Sequence, residues 1–315
     1  MKLALPRRRS LRTASVQTDG RLPVPVAAAG VLAVLAGAFF LAPALSGREA
    51  ARAPLLQPAQ ASLFFDEHAF ARAVARTEAA PPQPMPGVRA LIIPHHWLAG
   101  HLILSGLRDL SASGEYDRIV LIGPDHTNSG AAAVTTSDLP WQTAFGPVQA
   151  DAAAVAALTE GGLARNEPGV LDYEHSVAGI VPAVAYYLPG AEIIPLVLRH
   201  ALTPAEVQDL AAALAALMDE RTALVAAVDF SHYLPAPLAR ERNTETVAAL
   251  RSLDAGAVLS YGDEHVDSPA SIATLMAVMR LTGATAFELR ASTNSAEVAG
   301  EGAGPVTSYI SGYYH

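Results

Sequence analysis

The chain has 315 residues, of which 51% are hydrophobic and only 16% are charged, and it contains no cysteine. This composition excludes a disordered protein, a disulfide framework, a zinc ribbon, an iron–sulfur cluster and a thiol nucleophile, so any metal must be held by His, Asp or Glu. Residues 1–60 carry eight basic and two acidic side chains, which leaves 13 basic and 28 acidic ones for the rest of the chain. The part of the chain after residue 60 is therefore strongly acidic and repels phosphate backbones. We expect no nucleic-acid partner.

The first element in chain order is an apolar run near the N-terminus. Residues 22–47 carry no charge, and the stretch 24–45 is long enough to cross the roughly 30 Å hydrocarbon core of a bilayer. Six basic side chains precede it in residues 1–23, so the positive-inside rule keeps that segment cytoplasmic and exports the rest. We predict a transmembrane anchor or a signal helix at 24–45. Small-residue sites at 42–46 leave a cleaved signal peptide open.

A linker rich in Pro and Ala follows, over residues 46–86, and contains one short amphipathic helix predicted at Leu63–Arg76. The folded domain is predicted over residues 87–315. These boundaries predict an extracytoplasmic domain that is attached to the membrane through the N-terminal helix, or exported after that helix is cleaved.

Within residues 87–315, short apolar runs alternate with longer helical patterns. The predicted strands are Val88–Ile93, Arg118–Ile122, Glu192–Leu198 and Ala223–Val228. The predicted helices are Leu98–Leu110, Val177–Tyr187 and Pro204–Met218, the last with Thr203 as its N-cap. This alternation is typical of an α/β protein whose parallel strands are buried on both faces. We therefore predict a three-layer α/β/α fold with a mostly parallel central sheet.

Each predicted strand ends in a polar cluster. The histidines that follow the four strands are His95, His126, His200 and His232. Ligands of open α/β sheets bind at the carboxyl ends of the strands, and neighbouring strands lie about 4.8 Å apart. We therefore expect His95 and His126 to converge on one ion. One such histidine alone is usually structural, but their recurrence predicts a metal or acid–base site.

These clusters resemble the MEMO family, known in bacteria as AmmeMemoRadiSam system protein B, which is similar in fold to class III extradiol dioxygenases. The motifs that carry the resemblance are Pro94-His95-His96-Trp97, Gly123-Pro124-Asp125-His126, Glu174-His175-Ser176, Asp229-Phe230-Ser231-His232 and Thr307-Ser308-Tyr309. Each motif alone is weak, but five in the family's order and spacing are specific. They cover essentially the whole of the predicted domain.

The resemblance implies that His95 and His126 are the first two metal ligands. The family's third ligand is a cysteine four residues before a proline that opens a helix, and counting back from Pro269 places His265 there. The nearby carboxylates that could replace or support it are Asp263, Glu264 and Asp267. A three-histidine site leaves coordination positions open and suits iron(II) first, with zinc or copper as alternatives.

The resemblance also implies a catalytic role for three further residues. His232 takes the position of the dioxygenases' acid–base histidine, Asp229 is available to orient it, and His175 is a further histidine of the pocket. Structural interpretations stay open, since His175 could cap the following helix and Asp229 could bind only backbone amides. His96 could add a ligand or block one. His200 has no counterpart in the family pattern.

The expected function is that of a mononuclear non-haem iron oxidoreductase, dioxygenase-like in its chemistry, in which His232 moves the proton. Two alternatives remain: a non-catalytic scaffold of the same fold that binds a peptide or a metal, and a zinc-dependent hydrolase. The expected ligand is a small molecule or a peptide.

Overall fold

The computed structural model describes residues 58–300 and 304–315. The predicted cytoplasmic segment (1–23) and the predicted anchor or signal helix (24–45) lie outside the described residues. None of the helices within the described ranges is both long and apolar enough to cross a membrane.

The described residues form thirteen strands and eleven α-helices, with a 3-10 turn at Trp97–Ala99. The strands are β1 (Gln60–Ala61), β2 (Ala90–Ile93), β3 (Arg118–Pro124), β4 (Val134–Thr136), β5 (Trp141–Thr143), β6 (Gly146–Val148), β7 (Arg165–Asn166), β8 (Glu192–Leu198), β9 (Thr222–Ala227), β10 (Leu234–Pro235), β11 (Phe287–Asn294), β12 (Pro305–Val306) and β13 (Ser308–Tyr314). The helices are α1 (Glu67–Thr77), α2 (Gly100–Ser113), α3 (Ala152–Glu160), α4 (Pro168–Asp172), α5 (His175–Ala178), α6 (Val181–Tyr187), α7 (Pro204–Leu217), α8 (Ala236–Ser252), α9 (Ala255–Leu259), α10 (Pro269–Thr282) and α11 (Ser295–Ala299).

An eight-stranded mixed sheet forms the centre of the domain, with the strand order β11-β13-β2-β9-β3-β8-β4-β7. The four central strands β2, β9, β3 and β8 run parallel to one another. Antiparallel strands flank them, since β13 pairs with β2 on one side and β4 with β8 on the other. The predicted α/β class is therefore confirmed. The sheet was expected to be mostly parallel, and it is mixed, with a parallel centre and antiparallel pairs on either side.

Both faces of this sheet are buried under helices. Along β2, Ala90 and Ile92 pack into one apolar cluster with α7, α8 and α10, while Leu91 and Ile93 pack into a second cluster with α1, α2 and α6. All four side chains are fully buried. Burial on both faces is why the central strands have continuous apolar sequences instead of alternating ones.

The predicted strands and helices are present, with one difference among the helices. The helix expected at Val177–Tyr187 is divided into α5 and α6. Gly179 ends α5, and Pro182 in the first turn of α6 has no N–H to continue the ladder of hydrogen bonds. By contrast, α7 begins where predicted, because Thr203 and Glu206 form a capping box.

Residues 60–77, which the sequence analysis assigned to a linker, pack against the domain. The predicted short helix is present as α1, and its Phe70 is buried in the apolar cluster that also contains α2. β1 pairs with β5. The buried Arg108 of α2 donates to three carbonyl groups at the end of α1 and just after it, those of Thr77, Ala80 and Pro81. The end of α1 is thereby fixed to the body.

Candidate metal centre

The carboxyl ends of the central parallel strands bring the candidate site together at one edge of the sheet. His95 follows β2, His126 follows β3 and Asp229 follows β9. The rings of His95 and His126 are perpendicular, with their centroids 5.0 Å apart. The two imidazoles therefore lie side by side as predicted. Their strands are not neighbours, however, because β9 lies between β2 and β3.

His95 is buried and held in one orientation by the end of β9. Its Nδ1 lies 3.1 Å from the carbonyl oxygen of Ala227, and since a carbonyl can only accept, Nδ1 donates and Nε2 keeps its lone pair. The backbone N–H of His95 donates to Asp229 Oδ1 at 3.1 Å. Burial, together with the neighbouring ring of His126, lowers the pKa of His95 well below 6.5. His95 is thus neutral at pH 7, as a metal ligand must be.

His126 is oriented by Glu174. Its Nδ1 lies 2.9 Å from Glu174 Oε1, and its backbone N–H donates to Oε2 at 2.8 Å. Burial opposes the ionisation of Glu174, but the hydrogen bonds from His126 and from the backbone N–H of Ser176 prevail and lower the pKa of Glu174 to about 2. A carboxylate that accepts from one ring nitrogen leaves the other free to bind a metal, a common arrangement in metal sites.

Asp267 supplies a third donor opposite the two imidazoles. Its Oδ2 lies 3.4 Å from His95 Nε2 and 3.9 Å from His126 Nε2. Two donors on one ion, each about 2.0–2.2 Å from it, stand roughly 3–3.5 Å apart, so the shorter distance agrees with a shared ion and the longer one is slightly wide. The other oxygen, Oδ1, is buried and has no hydrogen-bond partner among the described residues. Burial and the charge of Asp229 raise the pKa of Asp267 well above its usual value.

Two imidazoles and one carboxylate with free donor atoms fit a divalent transition metal. The buried Oδ1 of Asp267 supports this fit, because a cation bound by both oxygens of the carboxylate would satisfy an atom that the described residues leave without a partner.

His175 and Asp229 extend the set of donors. The described residues contain two groups of possible ligands that share His95, with donor atoms within 4.8 Å of one another: His95, His126 and His175, and His95, Asp229 and Asp267. The His175 ring stacks on that of His126 with centroids 4.3 Å apart. The ring of His95 lies 5.1 Å from it and that of Phe64 5.8 Å. The side chain that caps α5 is Glu174, not His175.

His265 is not brought to this point, and its prediction as third ligand is corrected. Its Nε2 lies 2.7 Å from Glu245 Oε2 of α8, and its ring stacks on Tyr261 at 4.0 Å. A tight turn causes this, because the N–H groups of His265 and Val266 both donate to the carbonyl of Gly262. Asp267, which follows that turn, returns to the strand ends, where its N–H donates to the Asp229 carbonyl at 3.1 Å.

A cavity of about 410 Å³ opens beside the candidate ligands. Its lining residues are Pro124, Asp125, His126, Asn128, His200, His232, Tyr233, Asp263 and Asp267. Nδ1 of His232 has no hydrogen-bond partner among the described residues, so Asp229 does not orient this ring by a hydrogen bond. Burial lowers the pKa of His232, which leaves a neutral imidazole that can accept a proton in the cavity.

The remaining histidines near the cavity have structural partners. Nδ1 of His200 donates to the carbonyl of Asp267 at 3.2 Å and thereby supports the loop that carries this carboxylate. His96 Nδ1 shares a hydrogen bond of 2.8 Å with the hydroxyl of Tyr309, and His96 belongs to neither group of candidate ligands. The structure therefore does not place His96 as an extra ligand.

Sequence reasoning did not find two contributors to the site. Glu174 stood in a recognised motif, yet its role as the partner of His126 depends on a contact between residues 48 positions apart. Nothing in the sequence around Tyr233 indicates a role in the site, because its distinguishing property is a backbone φ of 61°.

The fold and these side chains define an α/β protein with a candidate metal site at the carboxyl edge of its central sheet. The family model described as Memo-like protein matches residues 57–313, and the chain belongs to this family. The resemblance found in the sequence motifs is thereby confirmed.

Named relatives of this family include archaeal proteins of similar length. A MEMO1 family protein of Methanopyrus kandleri, MK0963, is 27% identical over 230 residues, which is 70% of this chain and 80% of that protein. A MEMO1 family protein of Aeropyrum pernix is 31% identical over 223 residues, which is 67% of this chain and 78% of that protein. An uncharacterized protein of Escherichia coli K12, JW3007, aligns in its crystal structure with 18% identity and a TM-score of 0.44 over 71% of this chain and 99% of that one.

Proposed function

We propose that the protein binds one divalent transition-metal ion through His95, His126 and Asp267, and that with iron(II) it is a non-haem oxidoreductase of the dioxygenase-like kind. The observation that carries the metal site is the Asp267 carboxylate, which faces two oriented imidazoles and retains a buried oxygen without a partner among the described residues. Three ligands on one side of an ion leave coordination positions open toward a cavity. His175 and Asp229 are the candidates for additional ligands.

The residues around the proposed metal have separate roles. Glu174 and the Ala227 carbonyl hold the two imidazoles in the tautomer that binds a metal. His232 presents a neutral ring to the cavity, and this imidazole would take a proton from a bound hydroxyl group. Iron(II) in this site would supply redox chemistry and Lewis acidity, whereas zinc would supply Lewis acidity alone.

Metal analysis of variants tests the ligand set. The wild-type chain, purified anaerobically, is expected to contain close to one ion per chain, and His95→Ala and Asp267→Asn are expected to lose most of it. His265→Ala is the matched control, and we expect it to keep its metal, because its ring contacts Glu245 instead of the strand ends. Loss of the metal in His265→Ala with full retention in Asp267→Asn would contradict the proposed ligand set.

Oxygen uptake with aromatic diols tests the reaction. Iron-reconstituted wild-type chain is expected to consume oxygen when a diol is added, and His232→Gln is expected to slow this reaction about 10²-fold or more while the metal content stays unchanged. An iron-loaded protein that binds diols without consuming oxygen would support the non-catalytic scaffold instead. A protein that purifies with zinc and cleaves ester or amide substrates would support a hydrolase.

We also propose that residues 24–45 anchor the domain to a membrane or direct its export, with the domain outside the cytoplasm. The support for this proposal is the uncharged apolar run and the six basic side chains before it. Protease treatment of intact spheroplasts is expected to digest the domain, and its full protection would contradict the proposed orientation.

A further inference from the structure

The cavity beside the candidate metal site has an unusual charge distribution. Three of its lining residues are carboxylic acids, Asp125, Asp263 and Asp267, and no lysine or arginine of the described chain lines it. Asp125 is buried and accepts from the N–H groups of Ser129 and Gly130, and Asp267 faces the imidazoles. Asp263 is exposed and remains as the carboxylate at the cavity's solvent side. An anionic group on a ligand would find no positively charged side chain here.

Tyr233 lines the same cavity in a strained conformation. Its side chain is 76% exposed, and its φ of 61° is a left-handed conformation that bulky residues avoid. Of the three non-glycine residues with positive φ in the described chain, two line this cavity, Asn128 and Tyr233. Asn adopts this conformation readily, whereas Tyr does so at a cost.

The strain at Tyr233 is imposed from both sides. The preceding N–H, that of His232, donates to the Asp263 carbonyl at 2.7 Å, and the following residue, Leu234, pairs with Val306 in the β10–β12 ladder. Tyr233 is thus held between two fixed neighbours, with its ring next to that of His232 at 5.6 Å between centroids. The backbone contact between His232 and Asp263 also keeps the aspartate and the aromatic ring on adjacent parts of the wall.

We propose that Asp263 and Tyr233 form a subsite for the positively charged amine of a small ligand whose other end reaches the metal position. The proposal rests on the proposed metal site and names the ligand class of that site. A carboxylate attracts an ammonium group, and the face of an aromatic ring adds a cation–π contact. A cavity of about 410 Å³ is large enough for a single-ring arylalkylamine.

Three aromatic diols that differ in the charge of one short substituent test this subsite. The probes are dopamine (cationic), 4-ethylcatechol (neutral) and 3,4-dihydroxyphenylacetate (anionic). Their binding to the full chain is measured anaerobically by calorimetry, once with zinc, which is inert to redox chemistry, and once without metal. We expect dopamine to bind about fivefold more tightly than 4-ethylcatechol and the anion to bind most weakly, with the preference reduced by added salt.

Asp263→Asn is expected to make the three affinities nearly equal. Asp138→Asn is the control, because Asp138 is also exposed and its substitution changes the net charge equally, but it does not line the cavity. Tyr233→Gly fits the left-handed backbone and is expected to weaken dopamine binding about fivefold without loss of thermal stability, which separates a ligand contact from misfolding. Equal affinities in the wild-type chain, or an unchanged order of affinities in Asp263→Asn, would overturn the subsite.

Metal content measured on the same samples keeps the two proposals apart. If the chain fails to hold zinc, the proposed metal site is wrong, and the metal-free titrations still decide whether Asp263 selects for a positive charge. If zinc binds and no charge preference is found, the proposed metal site is supported and the proposed amine subsite is wrong.

Discussion

At the scale of single residues, the candidate site depends on side chains that use one polar atom for structure and leave another free. His95 donates through Nδ1 to a backbone carbonyl, His126 through Nδ1 to Glu174, and Asp267 accepts an N–H with Oδ2 only. In the two histidines the contact fixes the ring and leaves Nε2 free. In Asp267 the same oxygen, Oδ2, accepts the N–H and faces the imidazoles, and its second lone pair stays available. The free atoms therefore meet in a geometry that is set before any ion arrives.

Replacing Glu174 by Gln tests this orientation. The amide retains the size of the side chain but replaces the charged carboxylate that accepts the hydrogen bond from His126 Nδ1. Substitutions at such supporting positions lower metal affinity about 10- to 100-fold. Competition with a chromogenic chelator measures the change. Glu160→Gln, an exposed position at the end of α3, is the control, and equal affinities in the two variants would show that Glu174 does not orient the ligand.

His101 gives stability a pH dependence outside the candidate site. Burial, together with the charge of Arg76, lowers its pKa to about 4 from 6.5. The unfolded chain takes up a proton below pH 6.5 and the folded chain does so only near pH 4, so the contribution of His101 is complete above 6.5 and is lost as the pH falls toward 4.

Chemical denaturation at pH 7.5 and pH 5.0 measures this effect. The wild-type chain is expected to lose more free energy of unfolding between the two values than His101→Gln does. The other histidines with lowered pKa values are common to both proteins, so the difference reports His101. The same loss in both proteins would contradict the assignment.

At the scale of elements, the contact between β3 and α5 positions two of the site's side chains. Gly123 lies near the end of β3, and a Cβ there would stand 2.7 Å from Oγ of Ser176 in α5 and 3.2 Å from the Ala227 carbonyl. Ser176 in turn donates to the carbonyl of Pro124 at 2.8 Å. Only glycine permits this approach, and α5 carries His175 with Glu174 as its cap.

Gly123→Ala is therefore expected to move α5 away from the strand. We expect a loss of about 1–3 kcal/mol in the free energy of unfolding, as is typical of overpacking, together with weaker metal binding. Gly169→Ala in α4 is the matched control, since no atom lies within 4 Å of its added Cβ and alanine favours a helix. Thermal unfolding and metal titration of both variants check this, and equal behaviour would contradict the close contact.

The elements could largely be predicted from the sequence, and the site only in part. Continuous apolar runs identify buried parallel strands, and the rule that ligands bind at strand ends brings His95 and His126 together. The proposed third ligand depends instead on the path of a loop. Counting residues back from Pro269 does not reveal the turn at Gly262. This turn places His265 against α8 and Asp267 at the strand ends.

At the scale of the whole molecule, the described body is larger than the domain predicted from the apolar pattern. The prolines before residue 87 are typical of a linker, yet α1 lies among them and is packed on α2. Its sequence has an amphipathic pattern, which identifies a helix but not the surface that it covers. The position of α1 follows from tertiary contacts, among them the donation by Arg108 to the carbonyls of Thr77, the last residue of the helix, and of Ala80.

A chain that begins at residue 87 is therefore expected to be less stable than one that begins at residue 58. The shorter chain loses the buried Phe70, uncovers its neighbour Trp97 and leaves the guanidinium of Arg108 without its carbonyl acceptors. Loss of one large apolar side chain costs about 1.5–3 kcal/mol, and a buried charged donor without acceptors adds to this. We expect a fall of roughly 10 °C in Tm, measured by calorimetry. The same Tm in both chains would support the linker interpretation.

The contact of Phe64 with His175 makes the site accessible to optical measurement. The ring of Phe64 lies 5.8 Å from the His175 imidazole, in a segment that precedes α1. An indole placed there by Phe64→Trp would lie within quenching distance of any paramagnetic ion held by the neighbouring histidines. Its fluorescence would fall on loading with iron or copper and stay nearly constant with zinc, so that emission spectra before and after loading would distinguish zinc from a paramagnetic ion in the intact protein.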